Sequence, residues 1–258
     1  MRLETDGIIL DVDGTLWNST GIVAKAWTRA VRENGCPDMT VTAKMLQALF
    51  GRTMDVIAEN LLPELTKEHR DRIMKVCSAY EQQALEHMDD LEFLAKLEQG
   101  GSLDVDAGSG ECRALEESPC QYDSSETEAA SGSFPECRIC YPGVQQTIRE
   151  LSEKVPVFIV SNCQCGYIEL LLKKTGLGPF VTDIECFGNT GKSKGDNIRL
   201  LVGRNGLHSP IYVGDTQGDA DAAAQAGIPF VYAAYGFGTA DHMDAEISCF
   251  AELKEAIG

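Results

Sequence analysis

Two carboxylates, Asp11 and Asp13, stand at the end of the apolar run Ile8-Ile9-Leu10, and Gly14 turns the chain away after them. Such a run reads as a short buried strand of a parallel sheet. Ligands of open α/β sheets bind beyond the carboxyl ends of the strands. Residues two apart on a strand point the same way, so both acids would face one cleft. Adjacent carboxylates repel, and a fold keeps them where a cation or a proton-transfer task calls for both. A solvated Asp-Gly turn accounts for Asp13 and Gly14 but leaves Asp11 and Thr15 unexplained.

Three later strand ends carry polar clusters of their own. Val157 to Val160 runs into Ser161-Asn162, and Pro210 to Val213 runs into Gly214-Asp215-Thr216, with Asp219 and Asp221 beyond. After a strand near Cys186 comes Gly188-Asn189-Thr190-Gly191-Lys192-Ser193-Lys194-Gly195-Asp196. Carboxylates, a hydroxyl beside an amide, and lysines would converge on one sheet edge. That set suits phosphoryl transfer through a covalent carboxylate intermediate. Such chemistry rests on positioning and charge neutralisation, so it needs a divalent cation, a cationic side chain and hydrogen-bond donors. Asp11 and Asp215 offer the hard oxygen ligands that Mg²⁺ prefers, and Ser161 a hydroxyl for phosphoryl oxygens.

The elements that must position these residues fall into two patterns. From Asn18 to about Leu97 the spacing is helical, with Ala26, Trp27, Ala30 and Val31 on one stripe and Ile73, Val76, Cys77, Tyr80 and Ala84 on another. Pro63 interrupts it, and Thr66 is placed to cap the following helix. From Pro142 onward strands and helices alternate: strands over 155–160, 182–186, 210–213 and 228–232, helices over 166–174, 196–202 and 220–226. The last of these strands is expected to close the series. Alternation argues βαβ units and a parallel sheet that the first strand must join, with a helical domain inserted after it.

Together, D-V-D-G-T, S-N, S-K-G-D-N and G-D-T-Q-G-D resemble the four motifs of the haloacid dehalogenase superfamily, in its phosphoglycolate-phosphatase-like branch. The resemblance covers residues 1 to about 99 and 141 to 258, with the motifs in order. It implies an α/β fold: a Rossmann-like, doubly wound parallel core (1–16 and 141–258) with a helical cap of the C1 type (17–99). It further implies an Mg²⁺-dependent phosphatase acting on a small-molecule phosphate ester. Asp11 would be nucleophile and metal ligand; Asp13 the general acid/base, with its carbonyl on the metal. Thr15, Ser161 and Asn162 would bind substrate, Asp215 would bind Mg²⁺, and Asp219 would support it. The family lysine precedes the helix leading to the metal-binding strand, a place Lys194 fits better than Lys192. Gly51-Arg52-Thr53 resembles the cap loop that closes over substrate, where Arg52 suits a carboxylate or second phosphate; a surface arginine on a turn is the plain alternative. Tyr235-Gly236-Phe237-Gly238 resembles a loop beside the active site. Trp17 suits either the pocket lining or core packing.

Rival enzymes fare less well. A P-loop would need glycine where Cys186 stands. Asp13 favours phosphate esters over dehalogenation. Phosphosugar mutases of this type also keep that aspartate, but place a histidine in the first cap helix; twelve residues past Asp11 stands Val23, and His69, His87, His208 and His242 all lie elsewhere.

Residues 100–140 differ in character. Nine acids lie between Ser102 and Glu136 against the single base Arg113, so this stretch supplies −8 of the net charge of −18. Rich in Gly and Ser, it has the composition of a disordered or long mobile loop. Its cysteines, Cys112, Cys120, Cys137 and Cys140, form C-x7-C and C-x2-C pairs. The second pair has structural Zn²⁺ spacing and four thiolates complete a tetrahedral set, though the first pair is wide for a zinc knuckle. A loop with unpaired thiols is the alternative, as is an interaction protein that uses this insertion to bind a partner. The excess of 40 acidic over 22 basic residues argues against nucleic acid and anionic membrane surfaces. With no basic n-region ahead of an apolar stretch, and no run near the ~20 apolar residues of a membrane span, the expectation is a cytoplasmic protein with reduced thiols. Monomer and dimer both stay open.

Overall fold

The computed structural model describes residues 2–99 and 134–258. They form two compact units, residues 2–18 with 134–258, and residues 19–99. Cys112, Cys120 and the greater part of the 100–140 insertion lie outside the described residues.

Six strands build the first unit: β1 (Ile8–Leu10), β2 (Val157–Ser161), β3 (Asp183–Cys186), β4 (Ile211–Gly214), β5 (Phe230–Ala233) and β6 (Ala245–Ile247). They lie in the order β3-β2-β1-β4-β5-β6, and every neighbouring pair is parallel. β1 pairs with both β2 and β4, Leu10 standing beside Ile159 and Val213. The strand order therefore reverses between β1 and β4, and the crevice beyond their carboxyl ends is where such sheets bind ligands. This is the parallel α/β sheet expected from the alternation, in the doubly wound form that the resemblance implies. β6 corrects the expectation that β5 closes the series. Its three residues, Ala-Glu-Ile, are too few for a period-2 pattern to register, and only Ile247 is buried.

The second unit is helical: α1 (Thr20–Glu33), α2 (Ala43–Gln47), α3 (Met54–Leu61), α4 (Lys67–Glu86) and α5 (Leu91–Gln99). α1 packs against α4 through Trp27, Ala30, Ile73, Cys77 and Ala84, all buried. The Trp27 indole finds a buried acceptor, donating to Glu81 Oε2 at 2.9 Å. Thr66 accepts the His69 N–H and so caps α4.

The chain leaves the sheet through Leu16–Asn18 and returns beside it. Tyr141 N–H donates to the Leu16 carbonyl, Asn18 N–H donates to the Ile139 carbonyl, and Trp17 bridges antiparallel to Cys140. The helices of the first unit follow: α6 (Val144–Ser152), α7 (Tyr167–Thr175), α8 (Phe187–Thr190), α9 (Lys194–Asn205), α10 (Gln217–Ala226) and α11 (Leu253–Ala256). One face of the sheet, Ile9, Phe158, Val160, Tyr212 and Phe230, is covered by Ile198 and Leu201 of α9 and Ala220 and Ala223 of α10. Ala-rich α10 keeps its backbone close to the sheet. No helix among the described residues is long and apolar enough to cross a membrane.

Candidate active site

Short apolar strands end, polar turns begin, and helices restart from those turns; the site residues sit at the changeover. Asp11 follows β1 directly and its N–H donates to the Val213 carbonyl of β4. Its carboxylate is buried. Asp215 follows β4 and Ser161 closes β2, so three adjacent strands deliver three side chains to one edge.

Lys194 reaches the same point as the first residue of α9. Ser193 fixes that start by accepting the Asp196 N–H. Asn197 ties the preceding turn down, accepting the Thr190 hydroxyl at 2.7 Å and donating to the Lys192 carbonyl at 3.3 Å. Lys194 is buried, its Nζ 2.8 Å from Asp11 Oδ1 and 2.6 Å from Asp219 Oδ1. Lys192 is exposed on the turn. Two positions apart in one loop, only Lys194 enters the cluster.

Asp219 is fully buried and both its oxygens are engaged. Oδ2 accepts the N–H groups of Asp215 and Thr216 and the Thr216 hydroxyl; the Thr216 N–H bond, with the Asp219 N–H donating back to the Thr216 hydroxyl oxygen, makes a capping box at the start of α10. Oδ1 takes Lys194 and, at 3.3 Å, the Tyr212 hydroxyl. Asp219 therefore orients Lys194 and the Asp215 turn while adding negative charge.

Asp215 is clamped from two sides. Phe237 N–H donates to Oδ2 at 2.6 Å, and the Thr15 hydroxyl lies 3.5 Å from Oδ1. Thr15, expected at the substrate, is thus turned toward Asp215, and its carbonyl is held by the Tyr235 hydroxyl at 2.8 Å. A Cβ at Gly14 or at Gly236 would collide with the Asp215 side chain, and Gly14 also has φ +88°. The Tyr235–Gly238 loop is accordingly part of the site's framework.

Three carboxylates and one ammonium leave the cluster with net negative charge in a buried place. Burial pushes the Asp11 carboxyl up to about 7, with Lys194 opposing and Asp219 reinforcing the shift. Burial likewise pushes Asp215 up to about 8, with Asp219 and Asp11 adding to it. Burial alone would lower Lys194; attraction to Asp11 and Asp219 outweighs it and holds the ammonium charged above its ordinary range. Among the described residues, Asp11, Asp215 and Asp219 form the one grouping of three ligand side chains that can hold a metal ion. All-oxygen donors with unneutralised charge fit a hard divalent cation.

Asp13 sits at the rim, half-buried, with Oδ1 accepting the Tyr167 hydroxyl at 2.9 Å and the Trp17 indole N–H at 3.1 Å. Ser161 is buried and in hydrogen-bond contact with Cys163. The Asn162 loop is held close to β3: Gly188 N–H donates to the Cys163 carbonyl, and a Cβ at Gly188 would strike the backbone of Gln164 and Cys165. Arg52 lies in the helical unit, exposed on the turn between α2 and α3. Cys137 and Cys140 are in hydrogen-bond contact with each other, while Cys165 is disulfide-bonded, against the expectation of reduced thiols throughout.

Strand-end carboxylates around one lysine, at the switch point of a parallel sheet, place the chain among Rossmann-like α/β proteins with a cation-ready crevice. More narrowly, it belongs to the haloacid dehalogenase-like hydrolases, whose family model matches residues 5–227. Phosphoglycolate phosphatase of Yersinia pseudotuberculosis is 23% identical over 262 residues, spanning 98% of this chain and 93% of that protein. A haloacid dehalogenase-like family protein from Streptococcus pneumoniae superposes with a TM-score of 0.68 at 17% identity, covering 97% of each chain. A subfamily IA hydrolase from Geobacter sulfurreducens gives 0.60 at 12% identity, covering 99% of this chain and 97% of that one. At these identities the structural likeness is one of fold.

Tyr167, the Phe237 N–H and the close approach of Gly188 belong to the site without standing out in the sequence. Tyr167 opens the helix that follows the Ser161-Asn162 loop, and an aromatic hydroxyl at that place is the signal that was available.

Proposed function

We propose that the protein is an Mg²⁺-dependent phosphatase that hydrolyses a small phosphomonoester through an aspartyl phosphate on Asp11. The observation that carries this reading is the buried Asp11–Lys194 pair at the switch point, with Asp215 beside it and Asp13 at the rim. The 23% identity with phosphoglycolate phosphatase over nearly the whole chain supports the same class of substrate.

Asp11 attacks phosphorus while the bond to the ester oxygen breaks; that oxygen leaves with the electron pair and takes the Asp13 proton. Asp13, now ionised, removes a proton from water as it attacks the phosphoryl group, releasing phosphate and restoring the Asp11 carboxylate. Lys194 holds Asp11 in place and offsets charge on the phosphoryl oxygens, which Ser161 and Asn162 bind. Asp11, Asp215 and the Asp13 carbonyl would hold Mg²⁺, with Asp219 in support; the ion would neutralise phosphoryl charge. Thr15 assists by steadying Asp215.

The helical unit, 19–99, serves as the cap that selects substrate, with Arg52 offering a guanidinium to a carboxylate or second phosphate. Hydrolysis is favoured over phosphosugar transfer because α1 contains no histidine. Phosphate release should be screened over a panel of phosphomonoesters with Mg²⁺ and with EDTA, comparing wild type with Arg52→Ala. Release that requires Mg²⁺, with a raised KM in the variant for carboxylated or doubly phosphorylated esters, is expected. Absence of release from every ester overturns the reading.

A further inference from the structure

Asp13 is held by two donors that the proposed reaction does not yet employ. Tyr167, at the start of α7, and Trp17, on the exit from β1, both donate to the same carboxylate oxygen, Oδ1, at 2.9 and 3.1 Å. Their rings brace one another edge to face, with centroids 5.6 Å apart. Trp17 is fully buried and its backbone bridges to Cys140, so the indole has little freedom to follow a moving partner. Tyr167 is anchored by α7, whose Ile168, Leu171 and Leu172 are buried in the core.

We infer that Tyr167 and Trp17 are positioning residues for the proton transferred by Asp13, an inference that rests on the phosphatase reading. Two donors on Oδ1 fix the plane of the carboxyl group. They also decide where its proton resides: with Oδ1 already accepting two hydrogen bonds, the acid form carries its proton on Oδ2. A carboxyl group without these donors rotates about χ2, whose wells are broad and two-fold, and presents the proton from either oxygen. Alignment of that proton matters in proportion to how badly the leaving group needs it. An alkoxide leaves only as it is protonated. The 4-nitrophenolate ion is stabilised by its own ring and leaves without help.

The test compares kcat/KM, which reports steps through departure of the alcohol, for the best alkyl phosphate of the panel and for 4-nitrophenyl phosphate. Tyr167→Phe keeps the ring against Trp17 and removes only the hydroxyl; thermal melting checks that its fold is retained. The variant is expected to lose about tenfold more in kcat/KM on the alkyl ester than on the aryl ester. Trp17→Phe, which removes the indole N–H, should shift the ratio in the same direction. Equal losses on the two esters, or no loss on either, would overturn the positioning role while leaving the phosphatase intact. A wild-type protein that hydrolyses neither ester would overturn the phosphatase reading and this one with it.

Discussion

Lys194 Nζ lies 2.8 Å from Asp11 Oδ1, joining residues 183 positions apart in a place that neither shares with solvent. The same ammonium is 2.6 Å from Asp219. One cation thus holds two carboxylates in a pocket that also contains Asp215, and the arrangement is stable only while that charge balance is kept.

Removing the lysine should therefore be costly. Breaking a buried ion pair from one side typically destabilises by about 3–5 kcal/mol, because the remaining charge is left without compensation. Lys194→Met is expected to lose an amount in that range at pH 8 without divalent cation. It should lose less at pH 5, where Asp11 and Asp215 take up protons. Urea denaturation at the two pH values measures the difference; an equal loss at both would contradict the electrostatic account.

Asp11 and Asp215, pushed up to about 7 and about 8, bind protons more tightly folded than unfolded. The stability this provides is full below the ordinary carboxylate range. It is lost as pH rises through about 7 and 8. Without metal, the melting temperature should fall between pH 5 and pH 9. Mg²⁺ competes with those protons, so its stabilising shift should be larger at pH 8 than at pH 6. Differential scanning fluorimetry with and without Mg²⁺ reads both trends. A shift that shrinks with rising pH would show that the carboxylates are not the ligands.

Gly236 packs so closely on Asp215 that a methyl group has no room. Gly236→Ala should cost about 1–3 kcal/mol by overpacking and displace the Asp215 carboxylate from the Phe237 N–H. Titration of phosphate release against Mg²⁺ is expected to show weaker activation by the ion, with the substrate KM changed less. Unaltered Mg²⁺ dependence would mean that the Tyr235–Gly238 loop does not fix Asp215.

Much of this site can be read from the chain because strand ends advertise themselves. Ile8 to Leu10 is an apolar run that stops at Asp11, Ile211 to Val213 one that passes through Gly214 to Asp215, and the sheet topology turns those stops into neighbours. Lys194 and Lys192 share one loop, and only the Ser193 cap and the direction of α9 separate the buried from the exposed one. Thr15 reads as a substrate ligand by motif, and in the structure its hydroxyl lies 3.5 Å from Asp215 Oδ1, a contact that joins residues 200 positions apart and leaves no mark in the local sequence. β6 stays hidden because Ala245–Ile247 pairs through backbone alone and has too few residues to show a pattern. Tyr167 and the Phe237 N–H escape notice for a related reason: their partners, Asp13 and Asp215, are far away in sequence.

Everything proposed for this site turns on Asp11 forming the covalent bond to phosphorus. Quenching the enzyme during turnover of a phosphomonoester with Mg²⁺, reducing it with borohydride and sequencing its peptides by mass spectrometry tests that role directly. Asp11 alone should be converted to homoserine, only when substrate is present, and folded Asp11→Asn should release phosphate at least about a thousandfold more slowly. Turnover with Asp11 unmodified, or an Asp11→Asn variant that still hydrolyses the ester at the wild-type rate, would contradict it.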